Sequence, residues 1–369
     1  MKKPGLLLFM LIGLCPGFIT GTASARNDSI PTFPDLVYEY RFAELDKSTP
    51  LGLEYNYLVR KYIEIYTIQR RDDVSRMLGL SKLYFPIFEH YLDKYDLPLE
   101  LKYLSVVESG LNPLAKSSSG AMGLWQFLYN SAPMFDLEVS SYIDDRRDVY
   151  KSTEAACKYF KYLYQTFHDW HLALAAYNGG PGVVRNAIER SGGKTNLWEL
   201  LPYLPEETQN YVPAFLAANY VMNFAREHRI LATEPAYSFS GIDTVYLSNA
   251  VSFGQIAENI KISIDQLRFL NPRYKLDKIP EAASKQMLVL PQPLIAPFIE
   301  FESHILASNI KNDVSAKPRV RRFTYRVEKG DFLHKIAMKY DCSPADIRQW
   351  NRLPSDNIAP GQSLVIWIP

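Results

Sequence analysis

The stretch PLELKYLSVVESG, residues 98–110, reads as one helix of about three turns. Pro98 suits a first turn, where a missing N–H costs no hydrogen bond, and Gly110 suits the position just past the end. Leu101, Leu104, Ser105 and Glu108 then share one face, while Leu99, Tyr103, Val106 and Val107 cover the others. A helix apolar nearly all round is a buried one, and Glu108 emerges from its last turn. Partial burial and the negative end of the helix dipole both disfavour a carboxylate, so the expectation is a raised pKa and a proton held near neutral pH. That is the state a general acid needs. A lone glutamate at a helix end is ordinarily solvated. The continuation, LNPLAKSSSGAMGLWQF at 111–127, argues against that: Gly120 and Gly123 let the chain pass close to a ligand, and Trp125-Gln126 sets an aromatic face and a neutral amide beside them.

Outward from this helix the pattern stays helical. Tyr55–Arg70 carries Leu58, Tyr62, Ile65 and Tyr66 at the spacing of one face, and Asp73–Leu78, Ser81–Tyr95, Ser152–Phe167, His171–Tyr177 and Pro181–Ser191 follow, punctuated by Gly and Pro. Residues 51–230 are therefore expected to form an all-α domain with its motif-bearing core at 83–226. Residues 26–50 contain several prolines and no sustained period, and read as a flexible leader.

Past Arg229 short β-type runs appear: Thr244–Leu247, Met287–Leu290, Thr324–Val327 and Leu364–Ile368, each pair bracketing a helical stretch. Ile256-Ala257, Ser263, Leu267 and Asn271 recur as Ile336-Ala337, Ser343, Ile347 and Asn351 at a constant offset of 80, while Gln286 and Gln362 are offset by 76. Two β-α-α-β modules are predicted, at 240–294 and 323–369, the first with four extra residues before its closing strand. Residues 295–322 between them, ending in KPRVRR, read as a solvated linker.

The start of the chain, with Lys2-Lys3, an apolar run from Gly5 to Ile19 and then TASA at 22–25, has the form of a secretory signal cleaved after Ala25. Export to the periplasm or cell envelope is expected; lipid anchoring through Cys15 is disfavoured because bulky Leu14 precedes it. No later segment is apolar for long enough to span a bilayer, and soluble and membrane-attached forms both stay open. A formal charge of +1 provides no field for a nucleic acid or another polyanion. Cys157 and Cys342 read as two buried thiols rather than a disulfide. His168-x-x-His171 reads as a surface pair, and no metal or cofactor is implied. The oligomeric state has no signature in the sequence.

Two further blocks stand out. ALAAYNGGPG at 173–182 ends a helix at Tyr177-Asn178, and PEETQNYVPAF at 205–215 sets Glu207 and Tyr211 four residues apart on a helix face. ESGLNP, GAMGLWQF, AYNGGPGVV and EETQNYVP, in this order, closely resemble the lytic transglycosylase domain of the soluble lytic murein transglycosylase family, over about Leu83–Arg226. The flanking DLPLELKYLSVVES and DDRRDVYKSTEAA look most like the membrane-bound lytic murein transglycosylase D group. The resemblance implies a lysozyme-like, mainly α catalytic domain that cleaves the β-1,4 bond between N-acetylmuramic acid and N-acetylglucosamine without water, leaving a 1,6-anhydro ring. Glu108 matches the sole catalytic acid/base, and Ser109 falls in the family's Glu-Ser pair. Gln126, Tyr177, Asn178, Glu207 and Tyr211 match positions that bind or orient sugar.

The stretch from Tyr325 to Pro369 resembles a LysM domain, and the copy at 243–291 a degenerate one, with Ser248-Asn249-Ala250-Val251 where Lys329-Gly330-Asp331 lie in register. This resemblance implies binding of peptidoglycan strands, carried in the second copy by Gly330, Asp331, Phe332, Asn357, Ile358 and Pro360. A hydrolase needs a second carboxylate at about 5–9.5 Å from the first. Glu207 and Asp144-Asp145 are the candidates, so a hydrolytic muramidase stays open, as does a non-catalytic peptidoglycan-binding scaffold.

Overall fold

The computed structural model describes residues 30–368 apart from 238–240, 248, 282–284, 301–320 and 341. The expected signal, residues 26–29 and most of the linker lie outside the described residues. The chain divides into two compact units, one of residues up to 117 with 124–126 and 153–235, the other of 118–123, 127–152 and 236 onward.

The first unit is helical: α1 (Asp35–Asp46), α2 (Tyr57–Glu64), α3 (Arg71–Lys94), α4 (Leu104–Ser109), α5 (Val149–Phe167, whose first turn belongs to the other unit), α6 (Trp170–Gly179), α7 (Pro181–Arg190), α8 (Leu197–Leu200) and α9 (Glu206–Phe224). Helix α9 is the hub. It is buried nearly all round from Tyr211 to Val221 and packs against α2, α4 and α6. The mainly helical domain followed by two small strand-containing modules is the expected fold class.

Three expectations need correction. Residues 35–46 are a helix and not a structureless leader: Pro34 precedes α1, and Tyr38 and Phe42, four residues apart, are buried. Phe42 stacks on Tyr220 at 5.4 Å between ring centroids and Tyr38 on Tyr55 at 5.5 Å. Two inward rings carry this helix, too few to show as a period. Next, residues 71–94 form a single helix through Gly79. That glycine marks a close approach and no break, since a Cβ there would lie 1.7 Å from the carbonyl oxygen of Thr233, whose N–H donates to Ser75 O at 2.9 Å. Finally, 98–110 is a composite, a 3-10 turn over Leu99–Tyr103 leading into α4, which Gly110 ends in the left-handed conformation at φ 58°.

In the second unit the first module pairs β1 (Ile242–Leu247) antiparallel with β4 (Gln286–Pro291) and β2 (Val251–Ser252) with β3 (Lys278–Ile279), around α10 (Phe253–Ile260) and α11 (Ile264–Leu270). The second pairs β5 (Arg321–Arg326) with β6 (Ser363–Ile368) around α12 (Leu333–Lys339) and α13 (Pro344–Asn351). The repeated residues do the same work twice. Ser263 and Ser343 cap their helices by accepting from Gln266 N at 3.1 Å and Asp346 N at 3.0 Å. Asn271 donates to Leu267 O (3.1 Å) and Val289 O (2.9 Å) and accepts from Val289 N (2.8 Å). Asn351 repeats this with Ile347 O (2.9 Å), Val365 O (2.8 Å) and Val365 N (2.6 Å). Each asparagine thus ties the end of a helix to the closing strand, and the contact is kept although the separation along the chain is 18 residues in the first module and 14 in the second.

Candidate active site

Helix α4 packs against α9, and this brings Glu108 from the end of one to Tyr211 near the start of the other. Glu108 is half-buried, and the Tyr211 hydroxyl, itself buried, donates to its Oε1. Burial pushes the Glu108 carboxyl up to about 7; the Tyr211 bond works against that shift and the negative charge of Glu207 adds to it. The raised value anticipated from the sequence is present, with burial as the leading cause. The charge of Glu108 also raises the pKa values of Tyr177 and Tyr211, after burial, so the four groups form one electrostatic cluster.

Around it, the ends of α6 and α9 meet closely. A Cβ on Gly179 would lie 2.8 Å from Thr208 Oγ1, and that hydroxyl donates to Asn178 Oδ1 at 2.8 Å. Asn178 Nδ2 then donates to Glu207 Oε1 at 3.5 Å, which leaves this exposed carboxylate oriented from behind. Thr208 was not anticipated; only its place beside Glu207 hinted at it. Tyr177 donates to the Trp125 carbonyl at 2.8 Å and so pins the loop after α4.

Several expected roles change. Trp125 offers no aromatic face, because it is fully buried against Phe88 (5.0 Å) and Phe160 (5.9 Å) with its indole N–H donating to Thr153 Oγ1 at 2.9 Å. Its neighbour Gln126 sits at φ 49° and donates to Ala115 O at 3.1 Å. Ser109 is buried, with Oγ 2.9 Å from Ser105 O and 3.1 Å from Leu124 O, so it ties loop to helix instead of facing a ligand. Gly123 is required by chain packing, since a Cβ would lie 1.8 Å from Arg146 O; Gly120 alone has open space. Asp144 and Asp145 are fully buried in ion pairs, the first with Arg146 at 2.8 Å, the second with Lys151 at 2.7 Å and Arg273 at 2.6 Å. Neither is a solvated base, and of the expected second carboxylates Glu207 remains.

In the second module Gly330 takes φ 90°, and Asp331 is committed to the module's own turn. Its carboxylate accepts from Tyr325 OH (2.6 Å) and Glu328 N (2.9 Å) and pairs with Lys335 (2.8 Å), which holds its pKa far below the usual range. Phe332 is 52% exposed, Asn357 and Pro360 are exposed, and Ile358 packs on the module's core. Cys157 and Cys342 are both buried, with no disulfide.

Residues 86–197 match the Transglycosylase SLT domain family, 241–307 the family of the lytic transglycosylase MltD LysM-like domain, and 325–367 the LysM domain family. Membrane-bound lytic murein transglycosylase D of Escherichia coli (strain K12) is 32% identical over 280 residues, which cover 74% of this chain and 61% of that protein. Soluble lytic murein transglycosylase of the same strain is 30% identical over 141 residues, 36% of this chain and 22% of that one. The solved 70 kDa soluble lytic transglycosylase SLT70 of Escherichia coli matches with 27% sequence identity and a TM-score of 0.33, over 41% of this chain and 26% of that chain. The chain thus spans about three fifths of the first of these relatives and carries a transglycosylase SLT domain followed by an MltD-type LysM-like domain and a LysM domain.

Proposed function

We propose that this chain is a peptidoglycan lytic transglycosylase, working in the cell envelope, that cleaves the β-1,4 bond between N-acetylmuramic acid and N-acetylglucosamine and leaves a 1,6-anhydromuramyl end. The observation that carries it is Glu108, whose carboxyl is pushed up to about 7 by burial and which accepts a hydrogen bond from Tyr211, in a domain whose relatives are named lytic murein transglycosylases. Glu108 gives its proton to the glycosidic oxygen as the C1–O bond breaks, and the N-acetylglucosamine 4-hydroxyl leaves. The 2-acetamido group of the muramyl residue then supports the oxocarbenium centre, as in substrate-assisted glycosidases. Glu108, now a carboxylate stabilised by the Tyr211 hydroxyl, takes the proton of the C6 hydroxyl while O6 closes on C1. The acid is regenerated and no water is consumed.

Glu207 disfavours early loss of the Glu108 proton and, with Gln126, Tyr177 and Asn178, orders the sugars. The LysM domain holds the enzyme on the wall and raises the effective substrate concentration. Mass spectrometry of muropeptides released from purified peptidoglycan is the test. Anhydro ends, one water lighter, support the reading; reducing ends support a muramidase in which Glu207, the solvated carboxylate whose charge already acts on Glu108, activates water. Absence of products leaves a binding scaffold.

A further inference from the structure

The first module is built onto residues 138–148 of the loop before α5. Ile143 forms an antiparallel bridge with Tyr274, Asp144 N donates to Arg273 O at 2.9 Å, Lys275 N donates to Tyr142 O at 2.9 Å, and Lys275 Nζ donates to Ser140 O at 3.1 Å. Ile143 is buried inside the module's own core with Phe253, Ile256 and Leu267. Beside this seam Arg273, 5% exposed, meets Asp145 at 2.6 Å, and Asp145 also accepts from Glu138 N at 3.1 Å. The adjacent Asp144 grips Arg146 through two bonds, from Nε at 2.9 Å and Nη2 at 2.8 Å. Arg146 Nη1 in turn donates to Gly120 O (3.1 Å) and Phe127 O (3.4 Å), while the Arg146 carbonyl backs on Gly123. Arg273 is therefore linked to Gly120 and Phe127 within the same unit, through Asp145, the backbone to the adjacent Asp144, and Arg146.

The same module has closed the face that its twin leaves open. At the offset of 80, Val251 and Ser252 stand where the second module has Asp331 and Phe332. They are zipped to Ile279 and Lys278 in the β2–β3 ladder, whereas Phe332 is 52% exposed.

We propose that the first module is a brace and not a second wall-binding module, with Arg273 the positioning residue that holds residues 118–127 in their working conformation. Its catalytic consequence rests on the transglycosylase reading; the brace itself does not. Full-length Arg273→Ala, Arg273→Lys and wild type are compared by amide hydrogen exchange, by kinetics on soluble glycan and by pull-down on insoluble peptidoglycan. In Arg273→Ala, exchange over 118–127 and 138–147 rises at least about tenfold, because Asp145 loses one of its two cationic partners in a buried site and keeps only Lys151. Turnover then falls by up to about 100-fold while KM and pull-down stay within about twofold, as for a misplaced but intact site. Arg273→Lys recovers part of both the protection and the turnover. Unchanged exchange at 118–127, or loss of pull-down as large as that of Phe332→Ala, overturns the proposal. If Arg273→Ala loses all protection over 241–291, isosteric Asp145→Asn is judged by the same criteria. A wild type that releases no product sinks the transglycosylase reading, and exchange still decides on the brace.

Discussion

At the residue scale, Glu108 is set by two opposed influences. Burial raises its pKa to about 7, and the Tyr211 hydroxyl, bonding the charged form, pulls it back. Tyr211→Phe removes only the lowering influence, so the pH–rate profile of kcat/KM should move its alkaline limb to higher pH while the maximum falls; a limb moved toward acid would contradict the assignment. Glu108→Gln keeps the shape and removes the proton, and cleavage should drop by about 10²–10⁴-fold with glycan binding retained. The same variant reports on stability. Below the unfolded carboxyl value of about 4.5 both states are protonated and the group contributes no difference. As pH rises toward about 7 the unfolded chain ionises first, so the wild type progressively loses stability relative to the neutral amide. Urea titrations should show Glu108→Gln more stable than wild type by as much as ~3 kcal/mol at pH 8, with no gain at pH 4.

At the scale of elements, small residues decide how helices and strands meet. Gly79 lies buried within α3, in a helix interior where alanine ordinarily stabilises by about 1 kcal/mol. The Thr233 carbonyl on its Cβ position reverses the sign, and Gly79→Ala should cost about 1–3 kcal/mol in a thermal or denaturant melt. Asn351 makes three bonds between α13 and β6, and Asn351→Ala should destabilise the second module by about 2–3 kcal/mol, with Asn271→Ala doing the same to the first. The repeat in the sequence pointed to both asparagines, because each keeps a fixed place at the end of its own helix while the loop to the strand it holds differs by four residues. It did not point to α1, whose only buried side chains are Tyr38 and Phe42.

At the scale of the whole molecule, the proposed function assigns catalysis and wall binding to different parts of the chain. Phe332→Ala alters the exposed ring of the second module and should weaken pull-down on insoluble peptidoglycan with little change in turnover on short soluble glycans, because tethering changes local concentration and not the chemical step. Equal loss in both assays would show that the module acts on the catalytic domain itself. Among the described residues no helix is long and apolar enough to cross a membrane.

What the sequence determined by itself was local and periodic: the helical domain, the paired modules, the helix end that carries Glu108, and the motif blocks that bear Tyr177, Asn178, Glu207 and Tyr211. Helix faces, caps and repeats are written in neighbouring residues, so they can be read without coordinates. Only the tertiary structure decided which of these groups meet. It turned Trp125 and Ser109 inward, sealed Asp144 and Asp145 in ion pairs and brought Tyr211 to Glu108 across 103 residues of chain. Burial and charge pairing depend on what packs over a side chain from distant elements, and no local pattern encodes that.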